Sequence, residues 1–459
     1  MKMRTGDEAL TFRDKDLVVF LGDSITEDNA YAGILADWYL TRFPERDVRF
    51  VNSGVSGDQA RLAARPDEME DRVFSLAPSA VLVMFGMNDC ASLDFGPAPT
   101  EARIAARAGH LATFRDAMRR IATSILDRCG QVPLYLLSPH PWDDCSALPQ
   151  GKAGADARHP DFYGKGAGMG GYADAVREIA SQIPGTTFVD VYSAVSDDFR
   201  ARRRADPATS FAPDRTHPGG DTHLRMAIEI LHAQNADGVV SDIALQGTNV
   251  LKSVRAEVSG VEALPGGGIA FTALERSLPW VFDEATAATA ANDPAVAALD
   301  REIVSFYGLA DGDWTLFIDG APARTADAME WERGVNLALE PTTPQHRQAQ
   351  SVLRAREAFW KEKREAEAGH TGVRRELRRY MDEKGLDKNS PEKRMRAAEE
   401  AHIDPACEKW LRPIWRHVAG NWERIDANRA ASIAKWPAIR EKAAPVPHRY
   451  ELRPATSSQ

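Results

Sequence analysis

Four short blocks carry residue types that could together perform nucleophilic acyl transfer. In VVFLGDSIT an apolar run leads directly into Gly22, Asp23 and Ser24, so the serine falls at the carboxyl end of a predicted strand, before a helix-forming segment. A hydroxyl placed there could act as a nucleophile, because a helix N-terminus favours developing negative charge. It could equally do no more than cap the helix. Asp23 is read as organising that turn. In FVNSGVSGD, Gly57 offers a backbone N–H that an oxyanion could approach with no side chain intervening, while Gly54 serves the turn. In VLVMFGMND, Asn88 follows another apolar run, where its amide could donate to the same oxyanion or simply complete a turn. In PDRTHPGG, Asp214 and His217 are one helical turn apart in sequence. That spacing lets a carboxylate accept the Nδ1 proton of the imidazole and leaves Nε2 to take a proton from a serine.

The elements that must position these residues are short buried strands. LVVFLG, VRFVNSG, SAVLVMFG, VPLYLLSP and TTFVDV are separated by helix-length sequence, a pattern expected of a parallel sheet covered on both faces by helices. Such sheets place their chemistry beyond the carboxyl ends of the strands, where each block lies. The expected organisation is an α/β three-layer domain over residues 1–245, a small β-rich domain over 246–342 and a charged, Trp-containing helical region over 343–459. The β-rich part is read from alternating apolar positions and turn signals such as ADGD, with a helical insertion in which Asp293-Pro294 starts a helix at 294–305. In the last region Trp410, Ile414, Trp415, Val418 and Trp422 recur at helical spacing, a core-packing pattern rather than a sugar platform.

Strand-GDSIT near the start, VSGD, GMND and the late DRTHP together resemble the SGNH hydrolases, also called GDSL lipases and esterases, over about residues 14–240. The resemblance implies a flavodoxin-like α/β/α sandwich with a central parallel sheet. It also implies Ser24 as nucleophile, His217 as base, Asp214 as its partner, and the Ser24 N–H, Gly57 and Asn88 as the oxyanion hole. The GxSxG elbow of the α/β-hydrolases is absent around Ser24. In SPHPWDD, His140 and Trp142 follow another strand and are candidates for lining the substrate pocket, whereas His223 is read as a packing or surface residue on the next helix.

Composition excludes several other classes. The 459 residues carry a net charge of -10, which disfavours a nucleic-acid partner, and no apolar run is long enough to span a membrane. Cys90, Cys129, Cys145 and Cys407 form no CxxC pair, and no His/Asp/Glu cluster has ligand spacing, so neither a metal nor another cofactor is expected. The opening residues lack the apolar run of an export signal, which gives a cytoplasmic expectation unless a leader has been removed. The expected partner is a small-molecule or glycan ester, with a short acyl group such as acetyl favoured over a long chain. The C-terminal region could support homo-oligomerisation. The alternative reading is a noncatalytic carbohydrate-binding or scaffold protein that keeps the fold.

Overall fold

The computed structural model describes residues 11–95, 100–144, 164–367, 370–388, 390–403 and 412–455. Five strands, β1 (Leu17–Gly22), β2 (Arg49–Gly54), β3 (Ala80–Met84), β4 (Leu134–Leu137) and β5 (Thr186–Val189), form a parallel sheet in the order β2-β1-β3-β4-β5. This is the flavodoxin-like order, and the strand order changes direction between β1 and β3, where the carboxyl ends open a crevice. Strand β3 is buried at every residue, as its unbroken AVLVM run requires of a central strand. Helices Ala30–Arg42, Glu101–Cys129, Lys165–Gln182 and Gly220–Ala233 bury apolar faces against the same core.

The second module begins earlier than residue 246. Strand β6 (Val239–Gln246) already belongs to it and is joined by β7 (Asn249–Val254), β8 (Ala256–Ala263), β9 (Ile269–Glu275), β10 (Arg301–Tyr307), β11 (Asp313–Ile318), β12 (Ala321–Asp327) and β13 (Val335–Asn336). The helix begun by Pro294 stops at Leu299 instead of continuing to 305. REIVSFY then runs as β10 beside β6, where the β-branched and aromatic residues fit a pleated surface better than a helix. A mixed sheet β13-β10-β6-β7 packs on an antiparallel sheet closed by β14 (His448–Pro454), giving the order β12-β11-β14-β9-β8. Phe271, Phe306, Leu316, Trp331 and Tyr450 fill the space between them. The last region is therefore not wholly helical: β14 returns to the sandwich and pairs with both β9 and β11, filling the edges that these two strands would otherwise leave open.

The C-terminal helices divide between two tasks. Helix Pro344–Glu367 lies on Ala30–Arg42, whose residues are buried on nearly every side because it is wedged between this helix and the sheet. Arg356 pairs with the buried Asp37 across the contact, and the Trp436 indole donates to the Phe50 carbonyl at 2.9 Å. Helices His370–Glu383, Pro391–Ile403 and Arg412–Gly420 form a smaller core around Leu377, Met381, Trp415 and Val418, with Trp422 against its side. These tryptophans pack as their spacing suggests; Trp410 and the Ile414 side chain lie outside the described residues. Cys145 and Cys407 do too, while Cys90 and Cys129 are free thiols. No helix among the described residues is long and apolar enough to cross a membrane.

Candidate active site

Strands β1, β2 and β3 end side by side, with Gly22 level with Gly54 on one neighbour and with Met84 on the other. The one-turn helix Ser24–Glu27 sits directly on these ends. A Cβ on Gly54 would come within 2.3 Å of the Glu27 nitrogen, and one on Gly22 within 2.1 Å of Thr26 Oγ1. Gly54 therefore permits close approach of backbone, a stronger demand than a turn. Asp23 caps the short helix, its Oδ1 accepting the Ile25 N–H at 3.0 Å. Burial raises the Asp23 pKa to about 7 against that hydrogen bond, consistent with a structural rather than a solvent-facing carboxyl.

This arrangement turns the Ser24 hydroxyl toward His217, whose Nε2 stands 3.0 Å from Ser24 Oγ. On the other side of the ring, Nδ1 is 2.8 Å from Asp214 Oδ2. The loop that achieves this is an Asx-type turn: Asp214 Oδ1 accepts the backbone N–H groups of Thr216 at 3.0 Å and His217 at 2.7 Å. Arg215 takes φ +70° to let the chain reverse within that turn. Burial acts to raise the Asp214 pKa, but the hydrogen bonds from the His217 side chain and the two amides outweigh it, and the carboxyl ends well below its ordinary range. The Asp214 hydrogen bond in turn raises the His217 pKa above 6.5.

Asn88 and Gly57 lie on the loops after β3 and β2. The Asn88 amide donates one hydrogen to the Asp58 carbonyl at 2.9 Å, which ties the two loops together and fixes the side chain. Gly57 has φ +73° and nothing within 4 Å of where a Cβ would stand, so the backbone conformation, rather than lack of room, calls for glycine. Ser24 and Asn88 are partly exposed, Gly57 is exposed and the His217 side chain is half-exposed, so the constellation opens directly to solvent.

Residues 20–225 match the family model described as the GDSL-like lipase/acylhydrolase family. The α/β domain belongs to this family. No curated protein matches the chain. Among solved structures, a gut microbial diltiazem-metabolizing enzyme superposes with a TM-score of 0.79 at 23% identity, covering 97% of this chain and 99% of that one, so the three-part fold recurs over its whole length. The acetylxylan esterase Axe2 from Geobacillus stearothermophilus matches over 49% of this chain and 96% of its own, at 20% identity and a TM-score of 0.37. The family match thus covers the α/β domain, and the two further modules lie outside it.

Two residues expected to line the substrate pocket do not present a surface to a substrate. His140 is fully buried with its ring against Phe211, and burial lowers its pKa to about 4. Trp142 is only 8% exposed and lies beneath the Lys165 ammonium, 4.2 Å from the ring centroid. The reason is that SPHPWDD serves as a brace. Asp143, two residues further from His140 than Pro141, accepts the Phe211 N–H at 3.2 Å and an Arg203 bond at 2.6 Å, while its own N–H donates to the Arg215 carbonyl at 3.1 Å. It thereby holds the loop at Phe211, before Asp214, and at Arg215, between Asp214 and His217. The acidic pair closing that motif was the available signal for this role. His223 is buried, as expected of a packing residue, and stacks on Tyr31.

The described residues hold no group of three or more His, Cys, Asp or Glu side chains arranged for a metal ion. The nucleophile and base in contact can carry out acyl transfer with the chain's own groups.

Proposed function

We propose that the protein hydrolyses carboxylic esters through an acyl-enzyme on Ser24, acting on a short acyl group such as acetyl carried by a carbohydrate or another small alcohol. The observation that carries the reading is the continuous relay Ser24 Oγ, His217 Nε2, His217 Nδ1, Asp214 Oδ2, with contacts of 3.0 and 2.8 Å. In the first half-reaction Ser24 Oγ bonds to the ester carbon as its proton passes to His217 Nε2, and Asp214 stabilises the imidazolium. The Ser24 N–H, the Gly57 N–H and the second Asn88 amide hydrogen are the donors assigned to the oxyanion. Collapse of the tetrahedral intermediate breaks the bond to the alcohol oxygen, which leaves with the proton held on His217. Water then repeats the sequence on the acyl-enzyme, giving the free acid and restoring Ser24.

The open setting of Ser24, Gly57 and His217 supports a small acyl group on a bulky polar alcohol, which can remain in solvent while its ester carbon reaches the serine. A noncatalytic binding protein would have no use for a base held against the hydroxyl and oriented by a carboxylate. Hydrolysis of p-nitrophenyl acetate, butyrate and octanoate by wild type and Ser24→Ala tests the reading. Loss of turnover in the variant with preference for acetate supports it; turnover that survives Ser24→Ala, or preference for octanoate, contradicts the mechanism or the acyl class respectively.

A further inference from the structure

Asp58 follows Gly57 directly and is fully buried. Its carbonyl accepts the Asn88 amide, so this one residue connects the two loop donors assigned to the oxyanion. Its carboxylate is gripped from two sides. Arg72 of the α/β domain holds Oδ2, and Arg375 of helix His370–Glu383, more than three hundred positions along the chain, holds Oδ1 at 2.6 Å. Arg72 has other obligations: it donates to the carbonyls of Gly22 at 2.9 Å and Ser53 at 2.7 Å, and lies 3.8 Å from the buried Glu68 carboxylate. Two buried carboxylates thus draw on Arg72, and the C-terminal helix adds Arg375 beside Asp58 and Arg378 beside Glu68. A carboxylate withdrawn from water without a partner is costly, and the loop bearing it would shift to regain solvent.

We propose that Arg375 is a positioning residue for the oxyanion hole: by pairing with Asp58 from the C-terminal helical region, it holds Gly57 and Asn88 in register with Ser24. The inference rests on the acyl-enzyme reading above. It gives the C-terminal region a part in catalysis without contact with substrate. Neighbouring arginines provide an internal control, since Arg374 and Arg378 pair with Asp71 and dock the same helix without touching Asp58.

The test is kcat and KM for p-nitrophenyl acetate in wild type, Ser24→Ala, Arg375→Ala, Arg375→Lys and Arg374→Ala. A misplaced oxyanion donor lowers the rate without loosening ground-state binding, so Arg375→Ala should lose roughly 10- to 100-fold in kcat with KM within about twofold. Arg375→Lys, which keeps the charge beside Asp58, should recover most of the loss, and Arg374→Ala should stay within about threefold of wild type. If circular dichroism shows Arg375→Ala unfolded, Arg375→Gln compared with Arg375→Lys carries the same criteria. A kcat within about threefold of wild type in the uncharged variant, or an equal fall in Arg374→Ala, overturns the inference while leaving the Ser24 reading intact. Wild-type protein without Ser24-dependent turnover overturns both.

Discussion

Replacing Asp214 by Asn is the most informative single perturbation of the relay. The substitution is nearly isosteric, and the amide oxygen can still accept the Thr216 and His217 N–H groups that shape the turn at 3.0 and 2.7 Å. The group that then faces His217 Nδ1, now at 2.8 Å from Oδ2, is an amide donor. Nδ1 must accept, so the proton moves to Nε2, and the ring donates to Ser24 Oγ instead of receiving its proton. Loss of the correct tautomer in such a relay costs about 10³ to 10⁴-fold in kcat, or about 4 to 5.5 kcal/mol of barrier. The pH profile supplies a second readout. A general base works only when neutral, and the Asp214 hydrogen bond holds the His217 pKa above 6.5, so wild-type kcat/KM should rise with pH through that elevated value. Without the carboxylate the residual activity should show its acid limb at lower pH. Stopped-flow or plate kinetics on p-nitrophenyl acetate from pH 5 to 9 would measure both quantities. A rate within about tenfold of wild type, or an unmoved acid limb, would refute the assignment of His217 as the base oriented by Asp214.

Asn88→Ala should lower kcat by about 10² to 10³-fold, the loss of one oxyanion donor, while circular dichroism shows a folded protein. Asp300→Ala should lower the urea midpoint by the equivalent of about 3 to 5 kcal/mol, because it strands Arg42 without its carboxylate. Both side chains of that pair have no exposure, and it joins the α/β domain to the strands that follow. His140 and His223 are buried with pKa values lowered to about 4. The unfolded chain binds those protons more readily, so their contribution to stability is full above about pH 6.5 and is lost as pH falls toward 4, by up to about 3 kcal/mol for each. Chemical denaturation of wild type and His140→Phe at pH 7 and pH 4.5 would check this; equal losses on acidification in the two proteins would rule His140 out as a contributor.

The α/β domain was legible because each of its strands is a short apolar run whose composition alone demands burial on both faces, as AVLVM of β3 does. The reactive residues were legible for a related reason, since Ser24 and Asn88 stand immediately beyond such runs and Asp214 reaches His217 within one local turn. What was hidden depends on distant partners. Strand β10 reads as a continuation of an Ala-rich helix until β6 lies beside it, and β14 acquires its place only when β9 and β11 flank it. His140 and Trp142 have the chemistry of pocket residues, yet Phe211 and Lys165 cover them. No local pattern announces that Arg375 meets Asp58, because the pairing exists only once the C-terminal helix docks on the catalytic domain.

The central claim is that Ser24 is the nucleophile, and covalent capture tests it most directly. The protein would be treated with a fluorophosphonate and the adduct mapped by peptide mass spectrometry, alongside His217→Ala. One phosphonyl group on Ser24, formed far more slowly when His217 is replaced, is the expected outcome. An unlabelled Ser24 in protein that still hydrolyses esters, or labelling at another residue that accounts for the lost activity, would contradict it.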